Sequence, residues 1–122
     1  MTRSILTLGL LGMIAGCSFH ARDGDSYRKA TRELLETRSN DIKACYDAEL
    51  QKDPQASGSV IVKFKVQAET GNIVEATVDP AASSAPASLG QCVVEKLEGL
   101  ALDPPDARTG DASFSWEFQL RS

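Results

Sequence analysis

With 122 residues, 13 basic against 17 acidic side chains and a formal net charge of −4, the chain has room for one small domain. It lacks the basic excess that holds proteins on nucleic acid or on anionic lipid. Three cysteines and a lone histidine, His20, leave little material for metal or nucleophile chemistry.

Residues 1–16 read as an export signal, with Arg3 as the positive start and an apolar run from Ile5 to Ile14. Ten helical residues span only about 15 Å, half of a bilayer core, so the run is too short to be an anchor. It leads through Ala15 and Gly16 into Cys17, and the run Ile14-Ala15-Gly16-Cys17 resembles the bacterial lipobox. That resemblance makes Cys17 the lipidation site: the thiol takes a diacylglycerol, the leader is cut before it, and the new amino terminus is usually acylated as well. At roughly 0.8 kcal/mol per buried methylene, two or three acyl chains hold a protein on a membrane. Ser18, in place of an Asp, favours sorting to the outer membrane with the domain facing the periplasm. The competing reading is an ordinary signal, or a buried helix that ends on cysteine by chance. Loss of residues 1–16 removes Arg3 and leaves 12 basic against 17 acidic side chains, a net charge of −5.

Residues 17–26 are short, polar and glycine-containing and read as a flexible tether. The domain is expected over 27–122. From Tyr27 to Leu50 the positions Ala30, Leu34, Arg38, Ile42, Cys45, Tyr46 and Glu49/Leu50 fall at helical steps, with Leu50 ending the apolar stripe. Asn40 and Asp41 offer a point of division into two helices. Pro54 and Gly58 end the pattern.

Ser59 to Gln67 alternates, with Val60, Val62, Phe64 and Val66 on one side and Ile61, Lys63, Lys65 and Gln67 on the other, the pattern of a half-buried strand. A turn at 68–72 leads to a second strand, Ile73 to Val78, with Val74, Ala76 and Val78 on one face, and so to a hairpin. A loop follows, with Ser88 as helix N-cap, and Leu89, Cys92, Val93, Leu97 and Leu100 mark the apolar face of a short helix. After Pro104 and Pro105, Phe114, Trp116, Phe118 and Leu120 alternate with Ser113, Ser115, Glu117, Gln119 and Arg121 as a third strand. The fold class is α+β: helix, strand, strand, helix, strand, a three-stranded antiparallel sheet with two helices over one face. Export implies an oxidising compartment, so Cys45 and Cys92 read as one disulfide across the helix layer, which requires alpha carbons about 4.4–6.8 Å apart. The alternative is two separate buried thiols.

The segments IKACYDAEL, ASGSVIVKFKVQAETGNIVEATV, SLGQCVVEKLEGLALDPPDA and SFSWEFQL are similar in order and spacing to the AgmX/PglI C-terminal domain of myxobacterial envelope proteins. That domain is related to the C-terminal domain of TonB energy transducers. The likeness spans residues 38–122, with Cys45 and Cys92 at the family's paired cysteines, Tyr46 at its tyrosine, Gly58 at its strand-opening glycine and Gly71 at its hairpin glycine. Where the family has an aromatic-Pro pair, this chain has Leu102, Asp103 and Pro104. The resemblance implies strand order 2-1-3 and an open edge on the last strand, residues 113–120. It further implies a scaffold role in an envelope machine of the gliding or transport type, with protein partners added at Ser113, Ser115, Glu117 and Gln119 by strand pairing.

Enzyme chemistry finds little to work with. His20 lies in the tether, outside any folded triad. Neither C-x-x-C nor H-x-x-x-H spacing is present, so no metal or cofactor is expected. Asp103/Asp106 and Glu95/Glu98 can be drawn as acid/base couples, but they read more simply as a proline-rich loop and a solvated helix face. The Phe/Trp/Phe run could stack sugars or bases, yet its period of two assigns it to the core. The reading is therefore a non-enzymatic envelope binding module. A lipid-anchored enzyme or inhibitor with an unrecognised site is the alternative.

Overall fold

The computed structural model describes residues 23–120; the expected signal peptide, Cys17 and most of the tether lie outside the described residues. Asp23 opens the first helix, α1 (Gly24–Glu36), by accepting the Ser26 backbone N–H at 2.7 Å. That bond satisfies an orphan donor of the first turn and holds the Asp23 carboxyl below its ordinary pKa. The folded region thus begins ahead of Tyr27, and residues 24–26, read as tether, are helical. Thr37 ends α1: its hydroxyl donates to the Leu34 carbonyl at 2.6 Å, and its N–H also turns back to that carbonyl. Such local bonding competes with helix continuation. The division therefore falls at Thr37–Arg38, ahead of Asn40 and Asp41, and α2 runs Ser39–Lys52. With α3 (Ala87–Lys96) there are three helices among the described residues, one more than the two-helix cover expected.

The strands are β1 (Gly58–Val66), β2 (Ile73–Val78) and β3 (Gly110–Phe118), in the antiparallel order β2-β1-β3. β1 is central, and its inward valines and Phe64 are almost wholly buried against Leu89, Val93 and Leu97. Each such aliphatic side chain contributes about 1.5–3 kcal/mol by leaving water, so β1 and α3 form the centre of the core. Lys63 and Lys65 point to the opposite, open face, where Lys63 meets Asp79 at 3.2 Å. The Lys63 ammonium holds the Asp79 carboxyl below its usual range.

β2 departs from simple alternation. Its register runs Lys63↔Thr77 and then Lys65↔Val74, so Glu75 and Ala76 together oppose the single residue Phe64. This is a β-bulge, with Glu75 at φ +55°. The extra residue switches the parity of the strand. Ile73 joins Ala76 and Val78 on the core side, while Val74 falls opposite Lys65 on the outer face. The expected face of Val74, Ala76 and Val78 is corrected accordingly.

α2 and α3 are tied together. Cys45 and Cys92 are bonded, with alpha carbons 5.8 Å apart, inside the window an unstrained bridge needs. Beside them, the Ser88 hydroxyl donates to Glu49 Oε1 at 2.7 Å. Ser88 is the second residue of α3, and Pro86 holds the N-cap position. Glu49, only 7 % exposed, takes the inward place given to Leu50; its carboxylate is satisfied by Ser88 and by Lys52 at 3.3 Å. α3 ends at Lys96, and Leu97 and Leu100 reach the core from the turn that follows.

Candidate functional site

Two strands are edges, and they differ. β2 is short and bulged, the usual means of blunting an edge. β3 is nine residues long and pairs with β1 in unbroken register from Val66↔Gly110 to Gly58↔Phe118. Its outer side is a regular template.

The hydrogen bonds of β1 show which groups of β3 face outward. Ser59 and Ile61 direct both N–H and C=O toward the β2 side: Ser59 donates to Ser84 Oγ and accepts from Ser84 and Ala85, and Ile61 donates to Ser83 Oγ and accepts from Asp79. In an antiparallel ladder this direction alternates residue by residue. Val60, Val62 and Phe64 therefore pair toward β3, bonding Trp116, Phe114 and Ala112. By the same alternation the backbone groups of Asp111, Ser113, Ser115 and Glu117 point to the open edge. Ser113, Ser115 and Glu117 thus lie on the open side of the strand. Gln119 follows Phe118, the last residue of β3 and the last to pair with β1. Leu120, expected on the core face, lies past the same boundary and is 42 % exposed.

The aromatic side of β3 is only part covered. Phe118 is buried and its ring lies 5.1 Å from that of Tyr46, whose hydroxyl donates to the Ala56 carbonyl at 2.6 Å. Phe114 stacks on Phe64 at 6.0 Å, but Phe114 and Trp116 are half-buried. The expectation that the whole run is core is corrected: an edge strand has a packing neighbour on one side only.

Alongside the first half of β3 runs α1, and the two enclose a groove of about 650 Å³ whose walls include Arg28 and Arg32 on one side and Arg108, Asp111, Ser113 and Ser115 on the other. Tyr27 closes one end by lying on Gly110, where any β-carbon would meet the phenol at 2.6 Å. Sequence reading missed this groove. The steps Tyr27/Thr31 and Arg28/Arg32, four residues apart, mark one helix face, but nothing in them says which strand that face meets.

The proline-rich loop holds a further surprise. Asp106, read as part of that loop, is 1 % exposed. Its carboxylate accepts the Arg108 backbone N–H at 3.0 Å and lies 3.8 Å from Arg108 Nε, while its carbonyl accepts from Glu69. It fastens the loop to the β1–β2 turn. Asp103, Glu95 and Glu98 remain exposed. Among the described residues no three His, Cys, Asp or Glu side chains gather as metal ligands, and no helix is long and apolar enough to cross a membrane. No protein-family model, curated protein or solved structure matches the chain.

Proposed function

We propose that this chain is a lipid-anchored binding module of the bacterial envelope, held on the outer membrane through Cys17 and facing the periplasm, which captures protein partners by adding their strands to β3. The observation that carries the reading is the open edge of β3, with the backbone groups of Ser113, Ser115 and Glu117 directed into or beside a groove. Unpaired N–H and C=O groups on a long, regular edge supply affinity for an extended segment of another chain. The likeness to the AgmX/PglI C-terminal domain supports the same reading, and so does the disulfide, which suits an exported domain. The role is that of a scaffold, without catalysis.

Ser115→Pro tests it. Proline at Ser115 removes an N–H that points to the open edge and leaves the bonds to β1 intact, a setting in which a strand tolerates proline. A photo-crosslinker at Ser113 in living cells is expected to give discrete partner adducts that disappear when Ser115→Pro is added, with the far-UV circular dichroism unchanged. Adducts that persist at full yield remove strand addition.

The anchor has its own test. Cys17→Ser is expected to abolish incorporation of radiolabelled fatty acid and to leave the precursor uncut or wrongly processed. A variant that still labels and still partitions into the detergent phase overturns lipidation at Cys17.

A further inference from the structure

We infer that the groove between α1 and β3 selects an extended segment that carries acidic side chains. The inference rests on the strand-addition reading and adds the chemistry of the partner. Its ground is local charge. The chain as a whole is acidic, at −4, yet the charged groups lining the groove are three arginines, Arg28, Arg32 and Arg108, against one carboxylate, Asp111.

The partners of these groups single out one arginine. Arg28 is bonded to Asp25 at 2.9 Å on the exposed helix surface, and Arg108 lies beside the buried Asp106, so each already has a counter-charge. Asp111 is turned toward Lys65, 4.0 Å away across the outer face of the sheet. Arg32 stands one helical turn beyond Arg28 and makes no ion pair with any described residue. A guanidinium presents five donors suited to a carboxylate, and Arg32 is the one groove-lining arginine whose donors are not engaged by a described carboxylate. An added strand has side chains alternating between two faces. Those on the helix side meet half-buried Phe114, Tyr27 and the α1 arginines together. The matching segment therefore carries acidic side chains on its helix side, and a basic one meets like charge.

Two synthetic octapeptides, one alternating Val with Glu and one alternating Val with Lys, decide the matter by fluorescence anisotropy against the full chain in detergent. The acidic peptide is expected to bind on the order of tenfold more tightly, the gap narrowing as salt rises. Arg32→Glu is expected to erase or invert that preference, and Ser115→Pro to abolish binding of the acidic peptide. Arg28→Glu serves as a second charge variant, because both arginines sit on a solvated helix face. Equal affinities for the two peptides, or a preference that survives both charge reversals, overturn the acidic-partner inference and leave strand addition standing. A preference for acid that survives Ser115→Pro removes strand addition instead, and binding of neither peptide removes both.

Discussion

Breaking the Cys45–Cys92 bond is expected to lower the melting temperature by about 15–30 °C. The bond joins residues 47 apart in sequence. In the chain-entropy treatment, closing a loop of that length in the unfolded state stabilises the fold by roughly 4 kcal/mol. A domain of this size has only about 5–15 kcal/mol in total. The bond also fastens α2 to α3 over the centre of the sheet, where Cys45 is buried with Ile42 and Leu89. In a Cys17→Ser background, denatured but unreduced protein should show no free thiol. Cys45→Ala should be as harmful as the double change Cys45→Ala/Cys92→Ala, and worse in an oxidising compartment, where the half-buried Cys92 thiol is left to pair with another chain. Two reactive thiols in freshly isolated native protein would overturn the bond and the compartment inferred from it.

Gly71→Ala is expected to be nearly as damaging. Gly71 closes the β1–β2 turn at φ +73°, a region that costs residues with a β-carbon about 1–2 kcal/mol. Its carbonyl accepts from the Leu102 N–H at 2.8 Å, so the turn lies directly against the strap that follows α3, and a β-carbon would strike the Leu102 carbonyl oxygen. That obstacle is backbone and cannot rotate aside. Crowding of this kind adds roughly 1–3 kcal/mol, for a combined loss of about 2–5 kcal/mol and a fall in melting temperature on the order of 8–40 °C. Gly24→Ala is the control. Gly24 opens α1 with nothing within 4 Å of its missing β-carbon, so alanine there should leave the melting temperature unchanged or slightly higher. If Gly71→Ala melts with the wild type, the close approach of the turn to Leu102 is wrong.

Much of the architecture was legible because its signals are local. The alternation of Val60, Val62, Phe64 and Val66 against lysines determines a strand with one wet face wherever it sits. The cysteines at helical inward positions determined which two side chains meet. The β3 pattern likewise announced a strand, whose place at the edge is given by the order β2-β1-β3.

Other features answer to neighbours distant in sequence and were set by packing. The bulge at Glu75 reverses the faces of Val74 and Ile73 because β2 must match β1 and the turn at once; no count along β2 contains that demand. Glu49 is inward because Ser88, 39 residues away, meets its carboxylate, and a buried carboxylate is tolerable only where partners compensate its lost water. Asp106 is buried for the same kind of reason, against Glu69 and Arg108. The groove is the extreme case. The helix that carries Arg28 and Arg32 and the strand pattern of β3 are each legible locally, about 80 residues apart, but a binding surface is a juxtaposition, and it arises only when packing lays α1 beside β3.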